Sequence, residues 1–194
     1  MTKIKPRTPK AEEYYQKEFL PKIEKIKAEI DDTPFSVFLC GPSKSTHCEL
    51  YEKRVETTNA LRKKSLNAFL GEEIVRKLES QDVKAGLPKQ SPDIYEHRAV
   101  LVSDLIIIFH EGPGAIAEAQ IFLNDKHIAG KTIVFLDKKH RGFVTETLES
   151  LKQRGIQIKR YKSPEDIEQC HLKSNVIAIV DYYRQVKWHQ EKNK

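Results

Sequence analysis

The sequence predicts a flavodoxin/Rossmann-like, three-layer α/β sandwich built on a five-stranded parallel sheet. Short apolar runs alternate along the chain with segments whose apolar residues recur at helical spacing, as in repeated strand–helix units. The run at residues 105–109 is apolar at every position, which is typical of a central parallel strand covered on both faces. We expect right-handed crossovers between the parallel strands and the flavodoxin-like strand order 2-1-3-4-5.

Turn-forming residues mark the ends of the predicted strands, and helices fill the segments between them. The strands are expected at residues 35–40, 66–70, 105–109, 132–136 and 156–161. The intervening helices are expected at residues 49–65, 72–78, 92–102, 113–126 and 143–154. Pro92 is well placed as the first residue of its helix, because its missing N–H would have no helical acceptor there. Residues 81–91 are expected to form a polar loop.

Helical additions are expected at both ends of the sheet domain. Apolar positions recur at helical spacing in residues 11–30, where Pro21 predicts a kink or a division into two helices. Residues 164–190 are expected to be helical. The sequence thus indicates an N-terminal helical extension at 1–34, a catalytic or ligand-binding domain at 35–163 and a C-terminal helix at 164–194, which packs on that domain or on an oligomer partner.

Composition excludes several classes of protein. Hydrophobic residues make up 39% and charged residues 32%, and the apolar runs need burial, so a disordered chain is excluded. No run approaches the roughly 18 apolar residues of a membrane span, and the first residues lack the apolar core of a signal peptide. The three cysteines, Cys40, Cys48 and Cys170, are expected to be reduced thiols of a cytoplasmic protein.

The C-terminal segment bears on the expected partners. The net charge of +6 is compatible with a nucleic-acid partner, but this partner is not favoured, because the basic residues of 182–194 suit the end of a helix through its macrodipole. A homo-oligomer is expected, since the last helix has a wider apolar face than one side of a sheet needs. This face consists of Ile177, Ile179, Val180, Tyr183 and Val186.

Two glycine-containing loops are predicted at the point where the strand order reverses, between the first and third strands. In such sheets ligands bind outside the carboxyl ends of the strands at this point. Glycines let the backbone approach a ligand, and the helices that follow offer unpaired N–H groups to an anion. Neither loop has the spacing of a Walker loop or of a G-x-G-x-x-G dinucleotide motif. The predicted substrate-binding residues are Gly41, Pro42, Ser43, Asp93, His110, Gly112, Gly114 and Ala115.

Two glutamates are the predicted catalytic residues. Glu118 lies early in the helix after the second loop, among apolar residues and with no Lys or Arg within six positions, and its side chain is expected to lean back over the loop. Glu96 lies on the helix that leads into the third strand and shares a face with Asp93. Two carboxylates from neighbouring elements suit chemistry at a sugar C1 carbon, where one attacks or stabilises an oxocarbenium-like centre and the other moves protons. Glu96 is expected to be the companion acid/base or a ligand of a sugar hydroxyl. For Glu96, a solvated helix surface is an equally good interpretation.

No metal and no cofactor are expected. His47 and Cys48 lie near Cys40, but their spacing fits no common zinc site and a fourth ligand is missing.

Three segments together resemble the nucleoside 2-deoxyribosyltransferases. Phe38-Leu-Cys-Gly-Pro42 is similar to their Tyr-Leu-Ala-Gly-Pro opening, Ser103-Asp104 and the following apolar strand resemble their Ala-Asp strand, and Gly114-Ala-Ile-Ala-Glu118 looks like their Gly-Thr-Ala-x-Glu turn. The resemblance covers roughly residues 35–136 and implies that Glu118 is the nucleophile on the sugar and Glu96 the second acid. Phe38 stands where the family has a Tyr that orients the nucleophile, which favours hydrolysis over transfer.

The loop that ends in Glu118 is also similar to the glycine-rich loop of the lonely-guy type phosphoribohydrolases, which cut an N-glycosidic bond too. The resemblances imply an N-glycosidic-bond enzyme, either a hydrolase or a deoxyribosyltransferase, that acts on a nucleoside, a nucleotide or NAD. They are also compatible with a role in bacterial antiviral defence. The alternative is a non-catalytic, nucleotide-binding sensor that uses the same pocket.

Overall fold

The computed structural model describes residues 9–46, 48–110, 125–139 and 150–194. The chain forms two compact units: residues 1–33 together with 184–194, and residues 34–183. None of the helices in the described ranges combines the length and the apolar composition that a bilayer span requires.

The larger unit contains a five-stranded, all-parallel sheet in the order β2-β1-β3-β4-β5, so the predicted α/β fold class is confirmed. Alternate residues of each strand point to opposite faces. Leu39 and Ile107 lie on one face of the sheet and pack with apolar residues of the helices at 49–63 and 171–192. Phe38 and Ile106 lie on the other face and pack with apolar residues of the helices at 71–84, 92–102 and 126–130. The strands are β1 Ser36–Cys40, β2 Asn67–Leu70, β3 Leu105–His110, β4 Thr132–Asp137 and β5 Gln157–Tyr161.

The described helices agree with most of the expected ones. They are α1 Pro9–Tyr14, α2 Leu20–Asp32, α3 Glu49–Lys63, α4 Gly71–Lys84, α5 Pro92–Val102, α6 Lys126–Gly130, α7 Glu165–Glu168 and α8 His171–Lys192. A π-helical stretch at Tyr15–Phe19 joins α1 to α2, directly before Pro21. The helices expected at 113–126 and 143–154 lie largely outside the described residues.

Two boundaries differ from the expected ones. Helix α4 continues to Lys84 instead of ending at Leu78, because Asp82 is buried there and accepts a hydrogen bond from Arg98 Nη1 at 2.6 Å. The expected helix at 164–190 is divided, because Cys170 adopts a left-handed backbone conformation with φ of 58°. Hydrophobic periodicity alone does not predict either feature. The longer α4 depends on the contact between Asp82 and Arg98, and the division of the last helix depends on the backbone angle of Cys170.

The smaller unit is tied together by a buried arginine. Arg184, on the last part of α8, donates from Nε to the Thr33 carbonyl at 3.0 Å and from Nη2 to the Asp31 carbonyl. Lys192 pairs with Glu29 at 2.9 Å. The guanidinium thus donates hydrogen bonds at the end of α2, where the last carbonyl groups of a helix have no donor within the helix.

Lys131 closes the carboxyl end of α5, the helix that carries Glu96. Its Nζ donates to the carbonyls of Leu101 at 3.0 Å and Ser103 at 2.6 Å, and burial lowers the pKa of this ammonium below its usual range. Replacing Lys131 with Met is expected to lower the free energy of unfolding by about 1–3 kcal/mol, because hydrogen bonds from a charged donor are lost. Urea denaturation measures the change. The exposed Lys126 gives the control, since K126M is expected to change stability by no more than about 0.5 kcal/mol; equal losses in the two variants would contradict the assignment.

Candidate functional site

The sheet order reverses between β1 and β3, and the carboxyl ends of these strands lie side by side. Cys40, the last residue of β1, pairs in register with Ile108 of β3. The loop after β1 begins with Gly41, whose φ is 147°. His110, the last residue of β3, is buried. A ligand site is therefore expected at this edge, above β1 and β3.

A cavity of about 340 Å³ opens beside the end of β1. The β1 loop, α3, α4 and α5 each contribute to its wall, so four separate elements converge on it. Such convergence of polar groups on one concave site is typical of ligand pockets. The described lining residues are Cys40, Gly41, Ser43, Arg54, Gly71, Glu72, Val75, Arg76, Pro92 and Glu96.

The structure brings three of the predicted site residues together on this cavity: Gly41, Ser43 and Glu96. Pro42 is half-buried in the same loop, whereas Asp93 is exposed on α5, and neither is among the described lining residues. His110 is at the end of β3 and is likewise not among them. The predicted residues Gly112, Gly114, Ala115 and Glu118 lie outside the described residues.

Glu96 reaches the start of α4 because Gly71 has no side chain. A Cβ placed on Gly71 would lie 3.3 Å from Glu96 Oε1 and 3.7 Å from Cζ of the buried Phe38. The side chain of Glu96 is thus half-buried against the first residue of a 14-residue helix. This placement distinguishes Glu96 from a solvated helix acid.

Sequence reasoning missed Arg54 and Glu72. Arg54 is 2% exposed; its Nη1 donates to the Leu39 carbonyl at 3.2 Å, and its Nη2 to the two carboxylate oxygens of Glu72 at 2.9 and 3.0 Å. Glu72 is in the first turn of α4 and its side chain is 35% exposed. The available signal was helical spacing, since Arg54 falls on the same face of α3 as the buried Leu50 and Leu61.

The features considered for zinc do not form a metal site in the described part of the chain. His47 lies outside the described residues, and the three cysteines form no disulfide with one another. Among the described residues, no group of three or more His, Cys, Asp or Glu side chains could hold a metal ion.

Comparisons with known proteins give the family. No curated protein sequence matches the chain. A solved structure titled Clostridium botulinum CMP N-glycosidase, BcmB, is similar with 18% identity and a TM-score of 0.39, covering 70% of this chain and 98% of that one. An azoreductase from Bacillus anthracis str. Sterne is similar with 9% identity and a TM-score of 0.33, covering 80% of this chain and 99% of that one. At these scores neither likeness bears on function. The sequence model of a family described as STM3845 retron effector protein matches residues 52–185, more than half of the sequence, and the chain therefore belongs to this family.

Proposed function

We propose that the protein cleaves the N-glycosidic bond of a nucleoside, a nucleotide or an NAD-like compound, and that this reaction is its activity as a retron effector. The observation that carries the proposal is the position of Glu96, which lines a cavity at the sheet edge where the strand order reverses. The resemblance of the Glu118 loop to the nucleophile turn of the deoxyribosyltransferases supports Glu118 as the other carboxylate of the site. Membership of an effector family supports a role in defence.

The two carboxylates have separate roles in the proposed reaction. As the bond between the sugar C1 carbon and the base nitrogen breaks, its electron pair goes to the base, which takes a proton from Glu96. Glu118 attacks or stabilises the electron-poor carbon. Water then attacks C1 and gives a proton back to Glu96, so that free base and free sugar are released and both acids return to their first state. We propose hydrolysis over transfer to a second base because Phe38 replaces the Tyr of the transferases.

A chromatographic assay tests the proposal. The full chain is incubated with a mixture of nucleosides, nucleotides and NAD, and the release of free base is measured. The wild-type protein is expected to release base from at least one compound, whereas Glu118→Gln is expected to release it orders of magnitude more slowly while giving an unchanged circular dichroism spectrum. A protein that binds a compound with undiminished affinity but never releases base would be a sensor, and the proposal would be wrong.

The homo-oligomer expected from the C-terminal helix is also a proposal. In the larger unit, Val180 is fully buried in the core. Ile177, Ile179 and Tyr183 are partly buried and pack against that core, and the side chain of Tyr182 is 61% exposed. We expect sedimentation velocity at micromolar concentration to show a species larger than the 22.5 kDa monomer. A sedimenting monomer across that concentration range would contradict the expectation.

A further inference from the structure

Glu72 places a second carboxylate on the cavity that holds Glu96. We propose that Glu72 determines specificity: its carboxylate, positioned by Arg54, accepts a hydrogen bond from an N–H or O–H group of the bound nucleoside or nucleotide. This inference rests on the proposed function and deepens it, because it names a property of the substrate that the cavity selects.

The ion pair holds Glu72 in one place. Arg54 is anchored by its hydrogen bond to the Leu39 carbonyl at the end of β1, and its Cδ lies 3.5 Å from where a Cβ of Gly41 would be. Its Nη2 contacts both oxygens of Glu72. An ionised carboxylate has about four acceptor positions, so the contacts with one guanidinium nitrogen leave acceptor capacity on the cavity side.

Stability alone does not account for this arrangement. Burying a guanidinium costs several kcal/mol, and only good pairing offsets that cost. Yet Arg54 Nε is buried and has no hydrogen-bond partner among the described residues. Imperfect pairing of a buried charge is typical of functional sites, where placement of a group outweighs stability.

The neighbouring residue Glu73 stabilises the start of α4. It accepts a hydrogen bond from the Leu70 N–H at 3.3 Å, which caps the helix, and it pairs with Arg62. Both side chains of that pair are substantially exposed, at 41% for Glu73 and 39% for Arg62. Capping and surface pairing therefore do not require Glu72, and Glu73 offers a matched control one position away.

The lining of the cavity indicates what Glu72 would recognise. The described wall has two carboxylates, Glu72 and Glu96, two arginines, one hydroxyl from Ser43, and apolar surface from Val75 and Pro92. A carboxylate accepts from the amino group of a base or from a sugar hydroxyl, and it repels a carbonyl oxygen at the same place. A ligand that lacks this donor leaves the cavity side of the carboxylate without a hydrogen bond from the ligand, although Arg54 stays paired with it, and this difference is a basis for discrimination.

Calorimetric binding tests the inference on full-length protein that carries Glu118→Gln, so that no ligand is consumed. The probes are cytidine and uridine monophosphate, adenosine and inosine monophosphate, and the 2′-deoxy form of each. Two ratios of Kd are compared: oxo-bearing over amino-bearing nucleotide, and deoxyribose over ribose form. We expect one of these ratios to be at least ten, in favour of the amino group or of the ribose. Glu72→Gln is expected to reduce that ratio about tenfold, and Glu73→Gln to leave it within twofold.

The two ratios distinguish a hydrogen-bond donor on the base from one on the sugar. A change confined to the amino/oxo ratio places Glu72 at the base, and a change confined to the ribo/deoxyribo ratio places it at the sugar. If Glu72→Gln does not fold, Glu72→Asp replaces it. This variant keeps the negative charge but moves the carboxylate away from the ligand, because its side chain is one methylene shorter, and the same loss of discrimination is expected. The inference is wrong if ligands bind but both ratios stay within twofold of the parent, or if Glu73→Gln shifts them equally. If no probe binds the parent protein, the inference is wrong for nucleotides, whereas the proposed function is decided separately by the base-release assay, which includes nucleosides and NAD.

Discussion

Replacing Glu96 with glutamine is expected to slow base release about 10²–10⁴-fold, the range by which a positioned general acid–base group accelerates a reaction. The amide keeps the size of the side chain and its ability to lie against Gly71, where the carboxylate oxygen approaches to 3.3 Å of a Cβ position. It cannot donate an acidic proton to the leaving base. We therefore expect affinity for the cleaved compound to change only a few-fold while the turnover number falls.

Asp93 provides the matched control for this prediction. It lies one turn before Glu96 on α5, but it is exposed and is not among the described residues that line the cavity. Although the sequence predicts a substrate-binding role for Asp93, its place outside the described lining leads us to expect that Asp93→Asn turns over within about twofold of wild type. A Glu96→Gln enzyme that releases base at the wild-type rate would exclude Glu96 from the reaction.

Much of the fold could be predicted from the sequence because apolar patterning reports burial directly. The strand at Leu105–His110, apolar at every position from Leu105 to Phe109, fixes the centre of the sheet, and parallel strands with helices between them leave few arrangements. The positions of Gly41 and Glu96 beside the candidate cavity could be predicted for the same reason, since each lies on an element whose position follows from the sheet order. The loop after β1 and the helix before β3 both reach the edge where that order reverses.

Arg54 and Glu72 could not be predicted with the same ease. A charged residue on a helix with many charged neighbours is normally solvated, and α3 has such neighbours at Glu52, Lys53 and Glu56. Helical spacing places Arg54 on the buried face of α3, but its partners lie far along the chain: the Leu39 carbonyl is 15 residues away and Glu72 is 18 residues away in sequence. Long-range pairs of this kind depend on how α3 and α4 pack beside β1, and a single sequence contains no direct record of that packing.

The tight approach of the β1 loop to β3 gives the second large effect. A Cβ on Gly41 would lie 2.8 Å from the Phe109 carbonyl oxygen and 3.0 Å from Phe109 Cβ, and φ of 147° is a conformation that side-chain-bearing residues rarely adopt. Gly41→Ala is thus expected to lower the free energy of unfolding by about 2–6 kcal/mol, since backbone strain and overpacking each cost about 1–3 kcal/mol. Because Gly41 also lines the cavity, the variant that remains folded is expected to bind nucleotides more weakly.

Two other glycines separate the contributions to this loss. Gly86 has φ of 72° but nothing within 4 Å of its Cβ position, so Gly86→Ala isolates the conformational cost of about 1 kcal/mol. Gly130 has open space and no such backbone angle, and Gly130→Ala is expected to be neutral or to stabilise by up to about 1 kcal/mol. Urea denaturation of the three variants should give losses in the order Gly41, Gly86, Gly130. If Gly41→Ala loses no more than Gly86→Ala, the contact with Phe109 does not constrain the loop, and the loop is free to move away from β3.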